Sequence, residues 1–495
     1  MTALWLMASA VVSTMVWLKL KGWWGLFENR ERLHLSFERA DNGFQSHALQ
    51  ETLQGLVLLT ILYGTVVALL ATKRPLNVWA KAGLVGLVVG PAVGSVLIYP
   101  VGALDVFNYM IELKLTYHYD QNPYLVTFRN YVPDSYAGPA FLTDVKLFYG
   151  PAWLVITGIP ARLVGFYDYI DTLVALKVFN ALLIGVTGAI VAWSAGVRDR
   201  RWLALAMFAA NPLVLFEGNS NGHNDVLLTV FVAGAMLALQ RKSPLAGPLL
   251  ALSALVKLYT VALLPIFIVV ALKGKWGWQR ITLTVAATAI TVVAVSTPYW
   301  GEGELVTGLR AGLEESQEMD HVSPLSLARQ YAQQVEAETY PNPTFPLSRP
   351  SFEIVPQSVQ DQIDLWFTVA FVICVLALAL AVWFGRPPEL AAAETLLLLF
   401  LLMTNLYPWY LIPVIALMAM RPDRWSRWYV ILATLAGLVY YPMFVFGHYN
   451  SGWSRFHIHQ FLAIFLVGPI LIYGLARIVT WRRLERWNTT PASTP

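Results

Sequence analysis

Charged side chains are scarce in this sequence: they make up 13% of 495 residues, against 57% hydrophobic residues. Soluble domains carry about a quarter charged residues, so a water-exposed globule is excluded. Cysteine is nearly absent. The single Cys374 lies inside the apolar run "WFTVAFVICVLALALAV", so no disulfide within the chain, no thiolate metal cluster and no redox pair can be built. The strand alternation of an outer-membrane barrel is missing, as is any internal repeat. The opening run "ALWLMASAVVSTMVWL" lacks a basic start and a clear small-residue cleavage site, and reads as a retained helix. The formal charge of +4 is small and indicates no nucleic-acid partner.

What the sequence does contain is a series of long apolar runs, the signature of membrane-spanning helices. They lie at 3–20, 53–71, 83–100, 171–195, 202–217, 224–240, 245–272, 281–298, 363–385, 390–404, 408–420, 428–446 and 458–480. The expected fold class is an all-α polytopic membrane protein with about 11–13 transmembrane helices. Lys and Arg gather at 72–81, 198–201, 240–242, 273–280, Arg386, 421–427 and 482–486. Placing these clusters on the cytoplasmic side leaves the polar stretches 101–149 and 299–362 outside. It also makes 245–272 a helical hairpin with Lys257 near its tip; a single span would instead put 240–242 outside. Segment 150–170 contains Pro151, Gly158, Pro160 and Arg162, and suits an embedded or interfacial helix better than a full span. The tail 488–495, "NTTPASTP", reads as disordered.

The third apolar run is followed by "DVFNYMIELKLTYHYDQNPY", 105–124. If 104–117 is helical, Asp105, Tyr109 and Glu112 share one face at i, i+4 and i+7, and Pro123 ends the element. The expectation is an amphipathic helix on the outer surface with a carboxylate at the membrane exit. Later come "YGPAWLVITGIP" (149–160), "NPLVLFEGNSNGHNDVLL" (211–228), "LSALVKLYTVALLP" (252–265) and "NLYPWYLIPVIAL" (405–417). In order and placement these stretches resemble the GT-C superfamily of membrane glycosyltransferases, in particular its actinobacterial-type branch that uses polyprenyl-phosphate-mannose. The resemblance covers about residues 83–420. It implies a catalytic aspartate in the first outer loop, a role that falls on Asp105. It also implies a core over 83–300 with outer loop 101–149, extra N-terminal helices over 1–82, an outer flap over 301–362 and C-terminal helices over 363–487. One departure is the single acid of Leu104-Asp105-Val106, where some relatives carry a metal-binding pair. A divalent metal therefore stays open, and no residue is assigned as a metal ligand.

Sugar transfer from a lipid phosphate needs a base for the acceptor hydroxyl, groups to hold the departing phosphate, and a water-poor pocket. Asp105 is the candidate base, and a lone carboxylate suits inverting displacement; its plainer role is to cap a helix. His223, Lys257, His321 and Arg329 are the candidate donor-phosphate contacts. Against that, Lys257 could snorkel or pair with Glu217 or Glu394, and the other two sit in a loop that could simply be solvated. Tyr109, Asn221, Asn224, Asp225, Tyr407, Trp409 and Tyr410 are the candidate substrate-binding residues. The turn 217–225 could equally be an Asn- and Gly-rich connection, and the aromatics an interfacial belt. The expected partners are a polyprenyl-phosphate-sugar donor, a glycolipid or lipid-linked glycan acceptor, and membrane lipids. The expected location is the plasma membrane, multi-pass, with the site on the outer face. A lipid or solute transporter or flippase is the alternative, since an intramembrane lysine and broken helices also occur there; a scaffolding subunit is a third.

Overall fold

A backbone in lipid must satisfy its own hydrogen bonds, so each apolar run folds as a helix. The computed structural model describes residues 1–29, 44–72, 75–132, 134–196, 198–317, 323–328, 357–403, 406–445 and 455–484. The first helices are α1 Thr2–Trp24, α2 Phe44–Ala71, α3 Val78–Val96, α4 Asp105–Tyr117, α5 Pro151–Val164 and α6 Tyr169–Ser194. Then come α7 Arg198–Ala209, α8 Pro212–Leu215, α9 Asp225–Gln240, α10 Ala246–Ala254, α11 Leu264–Lys273 and α12 Trp278–Ser296. The last are α13 Glu304–Gln317, α14 Gln357–Trp383, α15 Pro388–Leu402, α16 Leu411–Met420, α17 Arg424–Val445 and α18 Arg455–Leu484. The described residues form an all-α polytopic membrane protein, and seven of their helices are long and apolar enough to cross a bilayer.

The remaining runs are helical but short or interrupted. Run 202–217 is broken at Asn211-Pro212, where the Asn211 side chain caps α8 by accepting from the amides of Leu213 and Val214. A π-turn, Phe216–Ser220, follows directly. Run 245–272 is broken between α10 and a 3-10 turn, Leu258–Leu263, with Lys257 at the break. Its two ends come together: Lys242 Nζ donates to the Gly274 carbonyl at 2.9 Å. The segment therefore returns to the side it started from, as a hairpin does. Helix α5 has only 14 residues, about 21 Å of rise against a core of about 30 Å, and stops short of a full span.

The basic clusters meet at one end of the bundle. Gln240 bonds both Ser194 and Glu389, Lys273 donates to the Val382 carbonyl at 3.0 Å, and Arg386 pairs with Glu394, which also accepts from Tyr473. Arg477 continues the network to Asp423 at 2.6 Å. Helix α1 packs on α3 through small residues: a Cβ on Gly83 would lie 2.8 Å from the Met7 amide, and one on Gly94 would lie 2.7 Å from Trp17. Such stripes let membrane helices approach closely.

Candidate functional site

The chain leaves α3, crosses a short extended stretch and enters α4 at Asp105. Two contacts press that first turn onto the 217–225 turn. The Gly102 amide donates to Asn221 Oδ1 at 3.1 Å, and Gly222, at φ +78°, packs so closely on Val106 that a Cβ would lie 2.8 Å from it. One turn further, the Tyr109 hydroxyl donates to Asn224 Oδ1 at 3.3 Å. Every residue from Val106 to Leu115 is buried, so α4 does not lie open on an outer surface. The loop after it folds back over it. Phe141 and Leu142 amides donate to Asn108 Oδ1, and Lys114 and Tyr119 both reach Asp134, at 2.7 and 2.6 Å.

The 217–225 turn is buried throughout and held from below. Asn180 Nδ2 donates to the carbonyls of Gly218 and His223 at 2.8 and 3.3 Å. The fully buried Lys177 donates to the carbonyls of Ser220 and Ile98. Asn219 Nδ2 donates to Ser95 Oγ at 2.8 Å. A lysine amine inside a membrane bundle demands partners, and here they are carbonyls that fix the turn against α6 and the end of α3. Nine residues bound this tightly are a built element, which argues against a mere connection.

Lys257 arrives from the hairpin tip. Backbone bonds from Gly150 to the Val256 carbonyl and from Ala152 to the Leu255 carbonyl, both 3.0 Å, dock the tip on the start of α5. There Lys257 Nζ meets Asp225 Oδ2 at 2.6 Å, and the Tyr259 hydroxyl donates to the other oxygen at 3.2 Å. The rings of Tyr149 and Tyr410 flank the ammonium, with centres 5.2 and 5.4 Å away. The partner of Lys257 is therefore Asp225. The two acids weighed from sequence are engaged elsewhere: Glu217 accepts from Asn221 at 3.0 Å, and Glu394 binds Arg386.

Gly150 has no room for a side chain, since a Cβ there would lie 2.1 Å from the Leu255 carbonyl oxygen. Gly150→Ala must push the tip away. It is expected to lower stability by about 1–3 kcal/mol by displacing the tip that carries Lys257. The melting temperature beside that of the unaltered chain checks the effect.

Asp105 is closely surrounded yet keeps part of its surface accessible. No other described side chain donates a hydrogen bond to it. Burial pushes its carboxyl up to about 6; the charge of Lys257 opposes that rise and the charge of Asp225 adds to it. Tyr149, Tyr259, Tyr407 and Tyr410 also keep partial exposure. Trp409 is sandwiched, stacked on Tyr407 at 4.3 Å and on His223 at 3.9 Å. His223 is fully buried beneath it, 3.4 Å from Glu217, with neither ring nitrogen hydrogen-bonded. Burial, with Lys257 nearby, holds its imidazolium pKa below the usual range, so the ring is neutral.

Thus Asp105, Tyr109, Asn221, His223, Asn224, Asp225, Lys257, Tyr407, Trp409 and Tyr410 converge. His321 and Arg329 lie outside the described residues. Tyr149 and Tyr259 are site residues that sequence reasoning passed over; the first directly precedes the Gly-Pro that opens α5, and the second lies two residues beyond Lys257. Among the described residues no group of three or more His, Cys, Asp or Glu side chains is assembled to hold a metal ion.

Two family models match the chain. One, described as alpha-(1->6)-mannopyranosyltransferase, N-terminal domain, covers residues 7–273; the other, glycosyltransferase family 87, covers 147–408. No curated protein matches. The first match takes in α1 through α11, including Asp105, the 217–225 turn and Lys257; the second adds the Tyr407 segment. Each spans more than half of the chain, and on these two matches the protein belongs to the alpha-(1->6)-mannopyranosyltransferase family of membrane glycosyltransferases.

Proposed function

We propose that the chain transfers mannose, with inversion, from a polyprenyl-phosphate carrier to a glycolipid or lipid-linked glycan on the outer face of the plasma membrane. The observation that carries this reading is Asp105 itself: a partly accessible carboxylate, unclaimed by any described side-chain donor, in the field of the buried Lys257–Asp225 pair. The basic clusters gather at the opposite end, and basic residues stay cytoplasmic, which supports an outward-facing Asp105.

In the proposed step Asp105 takes the proton from the acceptor hydroxyl. The hydroxyl oxygen attacks the anomeric carbon from the face opposite the leaving group. The bond from that carbon to the phosphate oxygen breaks, and polyprenyl phosphate leaves as an anion. Lys257 has N–H donors beyond the one directed at Asp225, and the hydroxyls of Tyr149 and Tyr259 lie beside it; together they offset the charge that develops on the phosphate. Tyr407 and Tyr410 offer ring surface to the sugar. His223, covered by Trp409, fixes the plane of that indole and makes no contact with phosphate in this scheme. The residues of the site give no observation that favours a transporter.

A base must be ionised to act. With its pKa raised to about 6, Asp105 is protonated below that pH and ionised above it. Transfer from polyprenyl-phosphate-mannose, followed from pH 4.5 to 8 with the purified chain, is expected to show kcat/KM rising through pH 6 to a plateau. A profile flat across that window, or transfer supported only by a nucleotide-sugar, would overturn the proposal.

A further inference from the structure

The linker between α3 and α4 sets where Asp105 stands. Tyr99 is still tied to the end of α1, its amide donating to the Trp24 carbonyl at 2.7 Å. From Pro100 to Leu104, the hydrogen bond to the rest of the bundle found among the described residues is that of the Gly102 amide to Asn221 Oδ1, at 3.1 Å. Leu104, at the cap position of α4, supplies no side-chain bond. Asp105 follows directly. The Asn221 carbonyl is therefore the point from which the start of α4 is hung. Gly102 has little freedom to slide to another acceptor, since a Cβ there would lie 2.7 Å from Asn221 Nδ2 and 2.9 Å from the Tyr441 ring.

A carboxamide holds such a point only if it faces the right way. Its two ends have nearly the same shape, and a half-turn exchanges acceptor for donor. With Nδ2 toward Gly102, two donors would meet and the linker would come loose. The Nδ2 end is claimed by Glu217, whose Oε2 accepts from it at 3.0 Å. The same carboxyl oxygen lies 3.4 Å from His223 Nε2, which makes no hydrogen bond, so Asn221 is its bonded partner. Glu217 is fully buried. It belongs to the π-turn Phe216–Ser220, closed by the Asn221 amide on the Phe216 carbonyl at 2.8 Å. Wide turns of this kind are frequent at functional sites. A carboxyl buried in a membrane bundle is costly, and an apolar side chain would fill the same space. What the carboxyl adds is the direction of one amide.

We propose that Glu217 is a positioning residue for the transfer reaction. By fixing the orientation of the Asn221 amide it holds the Gly102 amide, and with it the Asp105 carboxylate, in register with the acceptor hydroxyl. The inference rests on Asp105 as the base. Glu217 touches no substrate; it acts through two hydrogen bonds and a short stretch of backbone. The acceptor it offers to Asn221 is what matters, with or without a charge. Misplacing a reacting group by about 1 Å costs about 10²-fold in rate.

Variants of the full chain test this, with kcat and KM for mannose transfer from polyprenyl-phosphate-mannose and the melting temperature read on each sample. Glu217→Gln keeps an acceptor for Asn221 and is expected to retain most of the wild-type rate. Glu217→Leu and Asn221→Ala are each expected to lower kcat by about 10- to 100-fold with KM nearly unchanged. Combined, they should cost no more than either alone, because they act in series. In an Asp105→Asn background no base is left to position, and Glu217→Leu should cost almost nothing further. Should Glu217→Leu not fold, Asn221→Ala carries the same comparison. Equal losses in the two backgrounds, or a Glu217→Gln chain as slow as Glu217→Leu, overturn the proposal and leave the role of Asp105 standing. An Asp105→Asn chain as fast as wild type removes the base itself, and this inference with it.

Discussion

Replacing Asp105 with Asn is expected to leave a folded chain that transfers sugar about 10²–10⁴-fold more slowly, the usual contribution of a positioned base. The substitution keeps shape and polarity. No described side chain loses a hydrogen-bond partner, because none bonds the carboxylate, and the residue is only partly buried. Removing a carboxyl whose ionisation is opposed by burial should, if anything, ease folding at neutral pH. The loss should fall on kcat with little change in KM, since proton removal matters only as the transition state is reached. The pH profile should also lose its rise near 6. Steady-state rates with the melting temperature of the same sample decide the matter; a rate within threefold of wild type removes Asp105 from the chemistry.

Replacing Lys257 with Met is expected to damage both fold and activity. Lys257 is 8% exposed and Asp225 fully buried. Taking away the ammonium strands a carboxylate whose remaining described side-chain donor is Tyr259. Breaking one half of a buried pair destabilises by about 3–5 kcal/mol. Loss of activity in that variant alone would say little. The informative chain is Lys257→Met with Asp225→Asn, where no charge is stranded. It should regain most of the lost stability and still transfer poorly, because nothing cationic then faces the leaving phosphate. Recovery of both stability and rate in the double variant would make the pair purely structural.

Much of the fold is legible in the residues because lipid leaves so few options: apolar runs become helices, and Pro212 and Pro408 mark where they break. The hairpin at 245–272 was legible for a different reason, the basic residues at both its ends. Partner choice was not. Nothing local in "ALVKLY" says that Lys257 meets a carboxylate 32 residues earlier; Asp225 reads equally well as a helix cap until α9 and the tip are brought together. The enclosure of α4 was hidden because its composition, with Asn108, Glu112 and Lys114, resembles a solvated face, whereas tertiary bonds from Asp134 and the 141–142 amides cover it. Lys177 gave no signal, since its partners are backbone carbonyls. The convergence of Asp105 with the 217–225 turn was anticipated from one-sided placement of polar stretches, although its agents, Gly102 and Gly222, were not.

The hairpin that carries Lys257 has a mechanical consequence. Both of its arms run back to the basic end, so no covalent link ties the tip to the rim where sugar would enter. Among the described residues, the two amide bonds from Gly150 and Ala152, the contact with Asp225 and the packing of Tyr259 on Phe400 and Tyr410 keep the ammonium in register. Because α10 packs closely on α12, with no room for a Cβ between Gly247 and Thr288, the height of the cation is set by the seating of the hairpin arms as much as by the tip itself.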